Sequence, residues 1–586
     1  MFFTLCVFFI QKYIFNNDVE KENELNEINW NIFNISKELA KSEENKYNFK
    51  ELPNQKKKNI QKNSEKLIIG IDFGTTELRY SYALEKDFSK INFIGKGPNE
   101  VQTNRITNKG EKYATKASVS LENYGKKELS KINFIKGIKS LFSLDKFNNE
   151  NLCYVYPREY VSNFNIKDII KEYFIMLQSD ILENIDSIKL NNNMIIWLIS
   201  IPQPWNEFNK QILYNAAYES GMKNIKLIYD NEAASLAMLS DKYIEEKIKN
   251  KGNIFMLIDA GGYYTNITIN EILNKNIIKE KVKINNNLLN NFGIITISEE
   301  IIKVLEDIFG KYYFDILKKE KPGKWIKILQ DINKIITNTY KKDGIEEFEI
   351  KADFKGKGQY EYLYKTEKGI NKYIVKYNQY SIIFPAGLSG NIIYKNVKEI
   401  INNANNIINE MKSKKIKINS IIVTGGLSKN KIFQDEINKN FNNKITVKYL
   451  SSYESVISKG AVIYGTNSDK VKSRIISATI GIRKKEDNND KIEILIKKGE
   501  ILENYSKSKF IKSSSKNQEI IQLNIYISEK DDKLSENDFM GRLLIYIKKD
   551  YNGIVQLNIN YDTVLSFYAF DYNNQREINT KFEYFK

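Results

Sequence analysis

Histidine is absent from this chain of 586 residues. The gap excludes imidazole acid–base catalysis, Ser-His-Asp triads and histidine metal clusters. Any chemistry must run on carboxylates, lysines, hydroxyls, backbone amides or a bound cation. Cysteine is scarce too: Cys6 and Cys153 are the only two, too few for a disulfide framework or a thiolate metal site, and such usage fits a reducing compartment. Nowhere does an apolar run approach the ~20 residues that a membrane-crossing helix needs. The opening MFFTLCVFFI is strongly apolar but gives way to Gln11 and Lys12, with neither a basic leader nor a small-residue cleavage site. It reads most plainly as a leader that packs or stays loose, or as a mis-set start, and secondarily as a weak signal or anchor. The body of the chain is expected in the cytoplasm, with no stable membrane span.

A chain this long exceeds the ~250–300 residues that one hydrophobic core sustains, so at least two domains are expected. Hydrophobic residues make up 42% of it and aromatics 12%, ample for globular folding. The formal net charge of +17 invites an acidic partner. Yet the lysines are scattered among isoleucine and asparagine, and no basic stretch carries interleaved stacking aromatics. Nucleic acid is therefore not expected as a partner.

From Asn16 to Lys66 the chain is rich in Lys, Glu and Asn and ends in QKKKNIQKNSEK, which makes residues 1–66 a solvated, low-complexity extension. Then LIIGIDF (67–73) is an apolar, β-branched run, Gly74 to Thr76 turn the chain, and LRYSYAL (78–84) returns as the second arm of a hairpin. IFMLID (254–259), the pair Gly261-Gly262 and TNITIN (265–270) repeat the plan. Two hairpins whose first strands end in Asp before glycine imply two halves of similar design. Between them, INFIKGIKSLF (132–142) and IKDIIKEYFIMLQSDIL (166–182) have helical spacing. WLISIP (197–202) reads as a buried strand, EFNKQILYNAAYESGM (207–222) as a helix ending at glycine, and NIKLIYD (224–230) as a strand leading to the helix EAASLAML. Such βα alternation predicts a layered α/β domain over 67–468. Within it SIIVTGG (420–426) is a strand running into a glycine pair, with Ser428 placed to cap the next helix. Past Gly465 helical periodicity fades. KIEILIKK, EIIQLNIYIS, GRLLIYIKK and GIVQLNINY are strand after strand, which predicts a β-sandwich over 469–586.

One Asp-x-Gly turn is a weak signal, since a glycine hairpin needs no ligand and its aspartate can serve an Asx turn. Three in order carry more: Asp72-Phe73-Gly74-Thr75-Thr76, Asp259-Ala260-Gly261-Gly262 and Thr424-Gly425-Gly426. Phosphate oxygens are approached by backbone N–H groups, which demands residues without bulk in turns that aim several donors inward. Carboxylates at strand ends orient a hydrated magnesium ion. On these residues the chain resembles the actin, sugar-kinase and heat-shock superfamily, and most closely the DnaK-type seventy-kilodalton heat-shock family in its divergent type-twelve branch. IIGIDFGTTELRYSYAL is similar to the first phosphate motif, MLIDAGGYYTNITI to the second and SIIVTGGLSKNKIFQDEI to the adenosine motif. YDNEAASLAML (229–239) and SYESVISKGAVIYG (452–465) stand where the two connecting motifs belong. SIPQPWNEFNKQILYNAAYESGM and KPGKWIKILQDINK are similar to signatures of the branch.

The resemblance implies an actin-like (ribonuclease H-like), two-lobed nucleotide-binding domain that takes ATP or ADP with Mg2+. Carried over position by position, it implies that Gly74, Thr75 and Thr76, with Gly261 and Gly262, cradle the phosphates, and that Asp72 and Asp259 hold magnesium through water. Asp230 would help place the attacking water, with Glu232 as the alternative. Lys139 would contact phosphate, with Lys136 close behind, and either also reads as a solvated helix lysine. Gly425, Gly426 and Leu427 would lie against the nucleoside, and Asp331 and Lys334 would flank the adenine. The second turn departs from the family's pattern, because Tyr263, Tyr264 and Asn266 stand for a glycine, a threonine and an aspartate. A left-handed backbone at Tyr263 would cost ~1–2 kcal/mol. Its ring would crowd the γ-phosphate, and Asn266 cannot take up a proton as a base does. Binding is expected to survive better than turnover; alternatively the tyrosines pack between strands with nothing bound.

The likeness continues through the C-terminal strands, which are similar to the family's substrate-binding β-sandwich. It implies unfolded or partner polypeptides as ligands, held by β-augmentation, and co-chaperones as partners. Phe539 and Met540 would line a pocket or belong to the core, the core being the plainer reading. The chain ends at Lys586 with no room for a helical lid, and TNSDKVKSRI (466–475) lacks an aliphatic linker, so strong allostery between the domains is not expected. Two functions are compatible with these features: an ATP-binding chaperone with weak ATPase activity, or a catalytically inactive nucleotide-binding scaffold or sensor. A small-molecule kinase is disfavoured, because the C-terminal sandwich has no place in that architecture.

Overall fold

A computed structural model describes residues 66–585 apart from 75–77, 86–90, 98–99, 105–131, 143–153, 157–165, 186–193, 264, 275, 283, 285–291, 338–346, 352–357, 366–370, 452–454, 485–490, 503–505, 514–516, 531–532, 550 and 575. The expectations placed on residues 1–65, Thr75, Thr76 and Tyr264 lie outside the described residues. All the described residues belong to one unit, Ser64–Lys586.

Every residue of Leu67–Asp72 (β1) is buried, as befits a strand covered on both faces. It pairs antiparallel with Leu78–Leu84 (β2), Asp72 facing Arg79, and β2 pairs with Asn92–Gly97 (β3). Glu100–Asn104 (β4), Ile132–Lys136 (β5) and Tyr154–Tyr156 (β6) form a small separate sheet. The helical spacing over 132–142 is not realised as an α-helix. Gly137 takes φ 77°, a left-handed turn that divides the run into β5 and a short 3-10 helix, Ile138–Phe142. Ile166–Asn184 (α1) brings Tyr173 and Phe174 against Phe73, with ring centroids 5.9 and 6.0 Å away. Ile195–Ile201 (β7) runs parallel to β1, Glu207–Glu219 (α2) is capped by the Asn206 side chain, and Asn224–Tyr229 (β8) runs parallel to β7. Asp230–Ser240 (α3) completes the first half. The sheet's order is β3-β2-β1-β7-β8 among the described residues.

Ile254–Ala260 (β9), Thr265–Asn274 (β10) and Ile277–Val282 (β11) form a second antiparallel meander. Helices Ile294–Phe309 (α4), Lys311–Glu320 (α5) and Pro322–Thr337 (α6) follow, then a sheet of Phe348–Lys351 (β12), Tyr360–Lys365 (β13), Lys372–Tyr377 (β14) and Ser381–Phe384 (β15). Ala386–Ser413 (α7) returns the chain to Ser420–Thr424 (β16), parallel to β9. Lys431–Phe441 (α8) leads to Thr446–Tyr449 (β17), parallel to β16, and Val456–Thr466 (α9) ends the half. The order β11-β10-β9-β16-β17 repeats the first sheet strand for strand. The similar halves expected from the two Asp-ending hairpins are thus present in the topology. The cap of α8 differs from expectation: Asn430 Oδ1 accepts from Phe433 N at 3.2 Å, while Ser428 donates its hydroxyl to the Gly425 carbonyl at 2.6 Å.

Apolar side chains between the two sheets hold them together. Ile68 and Leu198 of the first sheet meet Leu257 and Ile422 of the second, around α3 and α9. These two helices carry the segments compared with the connecting motifs, and they touch where a Cβ on Gly460 would stand 1.8 Å from the Ala233 carbonyl oxygen.

Thr479–Lys484 (β18), Glu493–Ile496 (β19), Ser506–Lys512 (β20), Ile520–Ser528 (β21), Phe539–Tyr546 (β22), Ile554–Tyr561 (β23), Leu565–Asp571 (β24), Arg576–Ile578 (β25) and Thr580–Tyr584 (β26) complete the chain. Among the described residues they make two sheets, β19-β18-β21-β22-β26 and β20-β23-β24-β25, that share one hydrophobic cluster. Met540 is buried, and Phe539 packs against the rings of Tyr526 and Phe585 at 5.6 and 5.7 Å. No helix among the described residues is long and apolar enough to cross a membrane.

Candidate functional site

β1 and β9 occupy equivalent places in the two sheets, and their C-terminal ends carry Asp72 and Asp259, each only 8% exposed. Two further elements reach this region. Lys139, from the short 3-10 helix, places Nζ 3.2 Å from Oδ2 of Asp230, the first residue of α3, and both side chains are buried. The alternative of a solvated Lys139 is therefore not realised. Burial pushes the Asp259 carboxyl up to about 7; the charges of Asp230 and Asp72 add to the rise, and Lys139 opposes it. Asp72, Lys139, Asp230 and Asp259, singled out through the resemblance, are thus brought together.

Three buried carboxylates, Asp72, Asp230 and Asp259, are thus gathered with the Lys139 ammonium, an arrangement that is costly to bury without further compensation. Asp230 Oδ1 is buried with no hydrogen-bond partner among the described residues. No three acidic side chains among them converge as a direct metal cage. This donor set fits a cation that keeps its own waters, which is the habit of magnesium.

The glycine turns gather beside the acids. Gly425 takes φ 93°, and a Cβ there would lie 2.3 Å from the Ala260 carbonyl oxygen and 2.7 Å from Asp259 Oδ1. Only glycine fits a left-handed position with so little room. Gly261 and Gly262 offer their carbonyls to the first turn of α4, which donates from Ile294 N at 3.4 Å and Ile295 N at 2.8 Å. Gly74 follows Asp72 and donates its N–H to the Asp72 carbonyl at 2.9 Å. Gly426 and the buried Leu427 open the one-turn helix after β16, and α6 reaches that turn where Asn430 Nδ2 donates to the Ile336 carbonyl at 2.9 Å. On α6, Asp331 holds Lys334 at 3.0 Å and Lys327 at 3.4 Å. The hydrogen bond to Asp331 raises the Lys334 ammonium above its usual range.

The departures in the second turn take a definite form. Among the described residues Lys415 alone of the non-glycines has positive φ, so Tyr263 carries no left-handed strain and the anticipated backbone cost does not arise. Asn266 is buried and stands directly opposite Asp259 in the β9–β10 register. Cross-strand partners share a face, so the amide lies beside the most perturbed acid of the site.

Glu232 does not join this group. Its Oε2 accepts from Tyr229 N at 3.3 Å, and both carboxylate oxygens accept from Arg474. Lys136 ends β5. Arg474 escaped the sequence reasoning, although a signal existed: the chain has seven arginines among 90 basic residues. Where lysine is the default, an arginine marks a place needing its planar fork. Arg474 and Arg483 both engage carboxylates with two nitrogens.

No family model matches the chain. Heat shock 70 kDa protein 12A of Mus musculus is similar to it, 19% identical over 356 residues that cover 50% of this chain and 51% of the mouse protein. MreB5 of Spiroplasma citri is similar in structure, with TM-scores of 0.41 for its ADP-bound form and 0.39 for its AMPPNP-bound form. Identity is 14% and 13%, over 69% of this chain and 98% and 97% of those chains. The chain spans about half the length of the mouse relative that it matches.

Proposed function

We propose that the chain binds an adenine nucleotide, ATP or ADP, with Mg2+ where Asp72 and Asp259 meet Lys139 and Asp230. One observation carries this reading: four buried ionisable groups converge at equivalent strand ends of two sheets with the same topology, beside tight glycine turns. Asp72 and Asp259 would hold the metal's waters, and Lys139 would face the phosphates. The turn at Gly425 and Gly426 would seat the nucleoside, with Asp331 and Lys334 at the adenine. A bound magnesium ion supplies charge neutralisation at the phosphate oxygens.

Turnover is the weaker half of this reading. Asp230, oriented by Lys139, is the group to accept a hydrogen bond from a water aimed at the γ-phosphate. Asn266, opposite Asp259, cannot accept a proton, and a missing acid–base group lowers a rate by ~10²–10⁴-fold. The site therefore supports slow hydrolysis at most, and Asn266 favours the second reading, a nucleotide-binding scaffold. Capture of polypeptides by the two C-terminal sheets belongs to this proposal too; the resemblance of those strands supports it.

Calorimetric titration of the whole chain with ADP, with and without Mg2+, tests the central point. The expected result is saturable uptake that weakens at least about tenfold when the metal is chelated, in the range seen when a metal site loses support. Folded protein that takes up no adenine nucleotide would refute the proposal. Single-turnover hydrolysis then separates the weak ATPase from the scaffold.

A further inference from the structure

Arg474 lies between α9 and the first C-terminal strand, in the segment 466–475 that lacks an aliphatic linker, and it is 3% exposed. Its Nε and Nη2 donate to Glu232 Oε1 and Oε2 at 2.5 and 2.7 Å. Its Nη1 donates to the Asp562 carbonyl at 2.7 Å and also to Asp562 Oδ1. The guanidinium lies 5.5 and 5.8 Å from the ring centroids of Tyr229 and Tyr464, and the Tyr464 hydroxyl donates to Asp562 at 3.2 Å. Asp562 sits in the turn between β23 and β24. That turn is seated on the first half: Thr563 Oγ1 donates to the Leu227 carbonyl at 2.9 Å, and Gln211 Nε2 to the Leu565 carbonyl at 2.7 Å.

Glu232 is the third residue of α3, and its Oε2 accepts from the backbone N–H of Tyr229 at the start of the helix. Asp230 is the first residue of the same turn and faces Lys139. Residues two apart on a helix do not face each other. One turn is therefore gripped from two sides, by Lys139 at Asp230 and by Arg474 at Glu232.

The geometry points to Arg474 as a positioning residue for the Lys139–Asp230 site: by tying Glu232 to Asp562 it fixes the first turn of α3, and so keeps Asp230 on Lys139. The inference rests on the proposed function only for what the site binds. Lysine cannot replace this arginine, since one ammonium does not meet both Glu232 oxygens and Asp562 in a fork. Without the guanidinium, Glu232 is a buried, uncompensated charge. Its relief is a shift of the turn toward water, which carries Asp230 off Lys139.

The test uses the full chain with Arg474→Lys, Arg474→Met and Glu232→Gln, and with Arg483→Lys as a control at another forked ion pair, to Glu536, that touches neither Glu232 nor Asp230. Amine labelling read by mass spectrometry reports Lys139 in the ligand-free protein, with the buried Lys249 as the gauge of general loosening. Calorimetry reports the affinity for ADP with Mg2+. Arg474→Lys and Arg474→Met should each raise Lys139 labelling with Lys249 unchanged, and should weaken ADP by about 10–100-fold, as loss of a supporting partner does at metal sites. Arg483→Lys should change neither. If Arg474→Met does not fold, Glu232→Gln must show the same pattern. Unchanged Lys139 labelling in a folded variant overturns the inference, as does raised labelling with ADP affinity intact. If the unaltered chain takes up no ADP, the nucleotide reading fails alone, and Lys139 labelling still decides the clamp.

Discussion

Asp259 is surrounded by influences that favour its neutral form: burial first, then Asp230 and Asp72, with Lys139 alone favouring the charge. Its folded-state value of about 7 lies above the ordinary 3.8. Between those limits the folded chain binds more protons than the unfolded one, so this group's contribution to stability falls as pH rises from about 4 to about 7. Asp259→Asn should flatten that fall and raise the melting temperature of the ligand-free protein at pH 8, while removing magnesium-dependent nucleotide uptake. Melting curves across the pH range check this; a pH slope identical to that of the unaltered chain would count against the assignment. Asn266→Asp should act in the opposite sense. A second carboxylate opposite Asp259 lowers ligand-free stability, like charges across a strand pair being unfavourable. It also restores a proton acceptor, which should raise any hydrolysis rate by ~10²-fold or more. Melting temperature and single-turnover rate are the readouts, and a variant altered in neither would contradict this account of the turn.

At the scale of elements, the glycines set how closely α3 and α9 approach. Gly460→Ala would put a Cβ into the Ala233 carbonyl, with backbone on both sides of the clash. Overpacking of this kind costs ~1–3 kcal/mol or more. Urea unfolding should show that loss; a change within about 0.5 kcal/mol, as at ordinary surface sites, would mean that the helices have room to separate. The same scale shows what the sequence made legible. The hairpins at Asp72 and Asp259 could be read because continuous apolar, β-branched runs end in an aspartate just ahead of glycine, and β7, α2 and β8 because length and spacing agree. The stretch 132–142 misled because its apolar spacing suits a helix while Gly137 takes φ 77° and breaks it. Ser428 and Asn430 are both good caps two residues apart, and only the fold shows that Gly425 engages the serine hydroxyl. Arg474 was hidden for another reason: its partners are Glu232 and Asp562, 242 and 88 residues away, and no local pattern encodes such a pair.

At the scale of the molecule, two sheets of one topology turn their strand ends toward a common site, and each supplies an aspartate. The repeated topology explains why two acids and three glycine turns, spread over more than three hundred residues of chain, come together without sequence proximity. It also explains why the second sheet's departures at Tyr263 and Asn266 weigh on the site as a whole. The central claim is that the site formed by Asp72, Lys139, Asp230 and Asp259, and no other part of the chain, holds a metal-bound adenine nucleotide. A crystal structure grown with saturating ADP and Mg2+ tests it most directly. The account predicts phosphates between Gly74 and the Gly261–Gly262 turn, and a magnesium ion joined through water to Asp72 and Asp259. An empty site in such crystals, or a nucleotide bound elsewhere on the chain, would contradict it.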